Sequence, residues 1–258
     1  MTAQASPAKR AAAEKAAEIV AEAVESGSVS RLGVGTGSTT RLALQLLAER
    51  LGVERLGRLR LYASSLDTLL AIRGMGLEAY TAIPRGGLDL YFDGADEVAV
   101  EAGSCMILKG RGAAMTREKL LAYNSRRVII VVDETKLSRS LGEKGRPLPV
   151  EVLPAAVEAV VWALEARGVP ARPRGGCGCR DGPAVTDNCG VVVDVEPWGR
   201  MDVFEVEAFL ETMPGVVEHG LFIGYADEVV VGRRDGSAGV VECRRTRVNP
   251  GLRRGWPS

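Results

Sequence analysis

Short apolar runs alternate with longer amphipathic stretches through the first half of the chain. Arg31 to Val34, Leu59 to Ala63, Leu77 to Thr81, Leu88 to Phe92 and Val128 to Val132 have the length and aliphatic content of buried strands. Between and after them, Thr39 to Leu51, Leu66 to Met75 and Ala113 to Asn124 repeat apolar residues at helical spacing. Ahead of the first strand, Ser6-Pro7 opens an Ala/Glu/Lys-rich helix that runs to about Glu25, with proline in its favoured first turn. Alternation of this kind predicts an α/β fold built on a parallel sheet covered on both faces.

The pattern changes at Gly142 to Pro149 (GEKGRPLP), where glycine, proline and charge mark a boundary between structural units. A helix from about Pro154 to Arg167, a Gly/Cys/Arg loop (RPRGGCGCRDGP), a strand from Gly190 to Val195 and a helix around Glu205 to Thr212 follow. Such a segment suits a small α+β domain. Gly220 to Val231 is strand material again, able to return the chain to the first sheet, and the tail from Arg244 reads as a basic, loosely ordered end.

Composition narrows the function. The 258 residues hold 33 Lys+Arg against 33 Asp+Glu, so no net charge draws the chain toward nucleic acid or an anionic membrane. Hydrophobic residues at 46% and charged residues at 26% indicate a packed globular protein. Val128 to Val132 is far shorter than the roughly 20 apolar residues that cross a bilayer. Lys9, Arg10, Glu14 and Lys15 interrupt the N-terminal alanines, which argues against a signal peptide. A cytoplasmic protein is therefore expected. Five cysteines, an odd number spread from Cys105 to Cys243, do not suggest a disulfide framework. His219 is the single histidine, which disfavours Ser-His-Asp and multi-histidine metal chemistry and reads as a packing or surface residue. Cys177 and Cys179, with Cys189 and His219 as further ligands, invite a metal reading, but Cys-x-Cys is not the paired Cys-x-x-Cys of common zinc sites.

Three stretches carry candidate chemistry. Gly33 to Thr40 (GVGTGSTT) falls where a strand should end and a helix begin, so helix-start amides and the hydroxyls of Thr36, Ser38 and Thr39 can hold a phosphate. It is not a Walker loop, since no lysine precedes the Ser/Thr, and a capped tight turn remains the alternative. Asp89 to Val98 (DLYFDGADEV) gathers four acidic residues at a strand end, suited to acid/base work or cation binding, or merely to capping a turn. Leu108 to Lys119 (LKGRGAAMTREK) runs a cationic glycine loop into a helix. There Lys109 and the following amides can stabilise an oxyanion, while Glu118, flanked by Arg117 and Lys119, is either a base or a solvated charge.

In this order and spacing, GVGTGSTT, DLYFDGADEV and KGRGAAMTREKLLA closely resemble ribose-5-phosphate isomerase type A. VVDETKLSRSLGEKGRPLPVEVLP, the VTDN ending at Asn188 and PGVVEHGLFIGYADEVVVG extend the match, which covers about Lys15 to Gly232. The resemblance implies a Rossmann-like catalytic domain of residues 1–145 and 218–258, with a smaller ferredoxin-like α+β domain inserted at 146–217. It implies interconversion of D-ribose 5-phosphate and D-ribulose 5-phosphate through an enediolate, in the non-oxidative branch of the pentose phosphate pathway. No metal or organic cofactor is implied, and relatives are commonly homodimers or homotetramers.

Carried over by position, Glu118 matches the base that moves a proton between C2 and C1, and Lys109 the cation facing the enediolate oxygens. Asp93 and Asp96 match positions contacting the sugar hydroxyls, with one of them a candidate to shuttle a proton between O1 and O2. Thr36, Gly37, Ser38 and Thr39, Gly94 and Ala95, Gly110, Arg111 and Gly112, and Lys136 match the substrate-binding segments, and Lys15 is a further candidate for phosphate neutralisation. Arg111 departs from the family's run of three glycines, adding a phosphate contact if it points inward. Asp187-Asn188-Cys189-Gly190 is one residue longer than its counterpart and, lying in the inserted domain, is expected to leave the chemistry alone. Rival readings are a non-catalytic sugar-phosphate sensor, which would carry a DNA-binding element that is not evident, and a CoA transferase-like or sugar-phosphate deaminase enzyme, whose families lack this motif combination.

Overall fold

The computed structural model describes residues 5–101, 103–176 and 181–253. Helix α1 (Pro7–Glu25) is capped by the Ser6 hydroxyl, which accepts from the Lys9 amide, and it buries a face made mostly of alanine. Then come β1 (Arg31–Val34), α2 (Ser38–Leu51), α3 (Val53–Leu56), β2 (Arg60–Ala63), α4 (Leu66–Gly74), β3 (Ala79–Tyr80) and β4 (Leu88–Asp93). A hairpin of β5 (Glu97–Glu101) and β6 (Ser104–Leu108) leads to α5 (Met115–Tyr123), β7 (Ser125–Asp133) and the short β8 (Leu137–Ser138). A second unit contains β9 (Leu148–Val152), α6 (Val157–Glu165), β10 (Ala171–Pro173), β11 (Val191–Val195), α7 (Val203–Thr212) and β12 (Val216–His219). The chain closes with β13 (Leu221–Ile223), β14 (Glu228–Gly232), β15 (Ala238–Glu242) and α8 (Pro250–Arg253).

The main sheet has the order β15-β14-β7-β4-β1-β2-β3, parallel except for β15. Strand order reverses between β1 and β4, so their C-terminal ends form the crevice where open α/β sheets bind ligands. Alternate residues serve opposite cores: Leu32, Val34, Leu90, Phe92, Ile129 and Val131 pack under α1 and α2. Tyr91, Val128, Ile130 and Val132 face Met115 and Leu121 of α5 and the hairpin residues Val98 and Ile107. The second face is thus covered by one helix and a small sheet of order β13-β6-β5-β8, rather than by helices alone. This hairpin is absent from the sequence expectation, in which capping a following turn is one of the roles open to Asp96 and Glu97.

In the second unit, β9, β10, β11 and β12 form an antiparallel sheet of order β10-β11-β9-β12 with α6 and α7 packed on Val150, Val152, Val193 and Val195. This βαββαβ connectivity is the ferredoxin-like arrangement. The fold is therefore α/β with a Rossmann-like parallel sheet and an inserted α+β unit. Gly220 to Val231 divides between two sheets: β13 pairs with β6, and only β14 rejoins the main sheet beside β7. At Gly232 the lack of a Cβ lets Ala8 and Ala12 of α1 rest directly on the end of β14.

Two expectations are corrected here. The tail after Arg244 is anchored as far as it is described: the Arg245 guanidinium donates to the carbonyls of Ala122, Ser125 and Arg126 and pairs with Asp227 at 3.0 Å. Those carbonyls close α5 and open β7, so a cation there satisfies helix-end acceptors. The cysteines are not all unpaired either: Cys105 on β6 and Cys243 after β15 form a disulfide across a Cα separation of 5.5 Å. Their 138-residue separation left no local signal. Cys177 and Cys179 lie outside the described residues. Cys243→Ser should lower the unfolding free energy by roughly 2–5 kcal/mol, the usual effect of removing a bridge that closes a long loop. Thermal melts with and without reductant check this: reductant should shift wild type toward the variant and leave the variant unmoved.

Candidate active site

Loops after β1, β4, β6 and β7 converge at the switch point on a cleft of about 490 Å³. This volume suits a small metabolite. Thr36, Gly37, Ser38 and Thr39 line it, together with Gly94, Ala95 and Asp96, then Lys109, Gly110, Arg111, Gly112, Glu118 and Lys136. Of the residues singled out in the sequence, Asp93 lies under the floor, fully buried, and Lys15 lies elsewhere, paired with Glu18 at 3.0 Å. Lys9 takes the place expected of Lys15, with its ammonium donating to the Ser38 hydroxyl. Thr40 and Asp133 complete the wall.

Asp93 organises the floor. Its Oδ1 accepts from the Thr36 amide at 3.0 Å and the Gly94 amide at 2.7 Å, which joins the β1 and β4 turns. Its Oδ2 accepts from the Tyr91 hydroxyl and lies 2.8 Å from Lys109 Nζ. Burial, reinforced by the Asp93 charge, pushes the Tyr91 hydroxyl well above its usual pKa, so it remains a donor. The Thr36 hydroxyl contacts Ser64 and Ser65, both at 2.8 Å, and Thr68 at 3.3 Å. This hydroxyl cluster, with Thr68 also donating to the Gly35 carbonyl, fixes the turn from behind.

Lys109 emerges from β6 and donates to the Gly94 carbonyl at 2.6 Å, with Glu118 Oε2 3.3 Å away. Burial opposes its charge, but the Asp93 and Glu118 carboxylates outweigh it and raise the pKa, so the ammonium persists. Glu118 sits in the first turn of α5 and is 4% exposed. Burial, assisted by the Asp93 charge and opposed by Lys109, lifts its pKa to about 8. Such a carboxyl exchanges its proton near neutral pH, as a reversible acid/base group must. Gly110 at φ +100° and Ala113 at φ +59° turn the chain between Lys109 and the helix. The Arg111 amide donates to Asp96 Oδ2 at 2.9 Å, while its exposed side chain reaches the cleft rim. Lys136 is half-buried, and burial together with the nearby Arg146 guanidinium lowers its pKa.

The lengthened segment is not remote from this site: Asp187 accepts from the Leu66 amide at 2.7 Å and Asn188 from Arg117, the neighbour of Glu118, at 2.7 Å. Among the described residues, the one grouping that could hold a metal ion is Glu207, Glu211 and His219. It does not fit one. Arg247 already pairs with Glu207 at 3.0 Å and Glu211 at 3.3 Å. His219 Nδ1 accepts from the Leu221 amide, which leaves the proton on Nε2, the nitrogen next to Glu218 at 3.7 Å. Burial and then Lys119 and Arg247 pull the His219 pKa down to about 2, so it is a neutral packing residue.

The family model described as ribose 5-phosphate isomerase A (phosphoriboisomerase A) matches residues 60–236. The chain is 39% identical over 227 residues to "Ribose-5-phosphate isomerase A" of Thermomicrobium roseum, covering 87% of this chain and 91% of that one. It is 38% identical over 236 residues to the protein of that name in Methanosarcina acetivorans, covering 92% and 94%. Ribose 5-phosphate isomerase A of Methanocaldococcus jannaschii superposes with a TM-score of 0.78 at 33% identity, over 90% of this chain and 98% of that one. A D-ribose-5-phosphate isomerase in complex with phospho-erythronic acid gives 0.77 at 32% identity, over 91% and 97%. With the family model spanning most of its length and relatives this similar end to end, the chain belongs to the ribose 5-phosphate isomerase A family.

Proposed function

We propose that the protein is a ribose-5-phosphate isomerase in which Glu118 moves the proton and Lys109 holds the charge that develops. The observation carrying this is the buried Lys109–Glu118 pair at 3.3 Å, both members facing one cleft lined by hydroxyls and cations. In open-chain ribose 5-phosphate, the Glu118 carboxylate removes the C2 proton. The electrons form a cis-enediolate whose oxygens lie toward Lys109; returning the proton to C1, while a second proton passes from the C2 hydroxyl to O1, yields ribulose 5-phosphate. The same carboxyl serves both half-reactions because nothing is gained or lost overall. Asp93 acts from below by keeping Lys109 charged and aimed, and Asp96 receives sugar hydroxyls. Lys9, Ser38, Thr39 and Lys136 offer donors for the phosphate, with the start of α2 adding its amides.

The reading also divides the chain into a catalytic domain of residues 1–145 and 218–258 and an inserted domain of 146–217. A role in the non-oxidative pentose phosphate pathway, a cytoplasmic location and a homodimeric or homotetrameric assembly belong to the same proposal. Among the described residues, no helix is long and apolar enough to cross a membrane.

A coupled assay of ribose 5-phosphate conversion, run before and after exhaustive chelation, tests the core of the proposal. Turnover should be unchanged by the chelator; loss restored by one divalent ion would assign Asp96 and its neighbours to metal binding instead. Replacing Ser38 and Thr39 together by alanine should raise KM strongly, since each lost hydrogen bond to a charged group costs ~1.5–3 kcal/mol. A folded double variant with wild-type KM removes this turn from the phosphate site.

A further inference from the structure

The loop carrying Lys109 is held from outside its own domain. Arg174, just beyond β10 in the inserted unit, directs Nη1 to the Gly110 carbonyl at 2.9 Å and to the Arg111 carbonyl at 3.0 Å. Its remaining donors grip Asp194 of β11 in a bidentate pair, Nε to Oδ2 at 3.0 Å and Nη2 to Oδ1 at 2.6 Å. A planar guanidinium locked on a carboxylate is a rigid fork, so the two carbonyls are fixed in place and not merely attracted.

The consequence follows from peptide geometry. In a planar trans peptide the C=O and the next N–H point in opposite directions. Drawing the Gly110 carbonyl to Arg174 turns the Arg111 N–H the other way, and it does meet Asp96 Oδ2 at 2.9 Å. Drawing the Arg111 carbonyl likewise turns away the N–H of Gly112, a residue that lines the cleft. No acceptor for that N–H is present among the described residues. Peptide geometry thus directs it away from Arg174, free to serve the cleft that Gly112 lines.

We propose that Arg174, held by Asp194, is a positioning residue for the isomerisation: it orients the Gly110–Gly112 peptides so that the Gly112 N–H and Lys109 face the ligand oxygens together. This rests on the isomerase reading above. It assigns the inserted unit a part in setting the reaction geometry, where the sequence alone left it a bystander.

A second cavity of about 290 Å³, lined by Arg174 and Asp194 and sharing Arg111 and Asp96 with the cleft, opens onto the guanidinium, whose side chain is 20% exposed. A small planar cation can therefore enter when the side chain is cut back, which makes the idea testable by chemical rescue. Kinetics with ribose 5-phosphate would be measured for wild type, Arg174→Ala, Arg174→Lys and Asp194→Asn, each with thermal melts. Arg174→Ala should lose ~10–100-fold in kcat, the scale on which ångström misplacement acts in an active site. Arg174→Lys, which keeps the charge but not the fork, should lose nearly as much while melting close to wild type. Guanidinium at tens of millimolar should restore Arg174→Ala several-fold and leave wild type unaffected, and methylammonium should not restore it. Asp194→Asn should fall between. Wild-type kcat in the folded lysine variant, or an alanine variant that guanidinium does not revive, overturns the inference. Failure of the isomerase reading is separate, because wild type itself would then not turn over ribose 5-phosphate.

Discussion

Glu118→Gln is expected to fold, to bind ribose 5-phosphate as wild type does, and to lose at least the ~10²–10⁴-fold that a positioned general base contributes. Glutamine keeps the shape at the start of α5 but neither takes nor returns a proton. The pH profile supplies an independent check. As the proposed base, Glu118 must be ionised to act, and burial lifts its pKa to about 8. Wild-type kcat/KM should therefore rise tenfold per pH unit below a limb near that value and level off above it. Asp93 is one of the charges raising the limb, so Asp93→Asn should move it toward lower pH in whatever activity remains. In deuterated water wild type should label C2 of ribose 5-phosphate, while Glu118→Gln should not. Exchange at the wild-type rate in the variant would transfer the role of base to another group.

Lys109→Met should be nearly as damaging, for a different reason. Among the described residues, the ammonium is the one side-chain cation in contact with both Asp93 and Glu118, at 2.8 and 3.3 Å. Without it the enediolate would form above the Asp93 carboxylate with no buried ammonium to balance the charge, a loss of ~10²–10³-fold if the lysine acts as an oxyanion donor does. Because Lys109 lowers the Glu118 pKa, its removal should raise the acid limb further. Removing one partner of a buried pair also costs stability, about 3–5 kcal/mol. The rate should therefore be measured well below the variant's melting temperature. A folded variant that retains a tenth of wild-type turnover, with its limb unmoved, would exclude the electrostatic role.

Much of this site could be read from the chain because its parts are short and local. GVGTGSTT and DGAD each occupy one connection at the C-terminal edge of the main sheet and KGRG the connection from β6 to α5, and there sequence neighbours are also neighbours in space. What escaped notice depends on packing between distant segments. Lys9 belongs to an alanine-rich helix with no motif of its own, and it reaches Ser38 only because α1 lies across α2. The β5–β6 hairpin was obscured by Asp96 and Glu97, whose charges suggest a turn, although Glu97 is buried and accepts from the Gly142 and Lys144 amides. Tyr91 alternates correctly for a core strand residue, so nothing in the pattern distinguished its hydroxyl as a partner for Asp93. The tail resembled a solvated basic end until α5 and β7 supplied carbonyls for Arg245.

The seating of α1 on Gly232 bears on when the protein becomes active during its synthesis. The strand end on which its helix is seated follows Lys9 by more than two hundred residues, with the whole inserted unit between them. A chain still emerging from the ribosome can form the β1–β4 crevice early. Its cationic end gains the last support of α1 when β14 has slotted in beside β7. Closure by such a long-range contact is slow relative to local pairing, since a loop of that size must be gathered before the contact rewards it. The cleft should therefore acquire its Lys9 side last, making ligand binding a late marker of refolding, later than the return of helical signal.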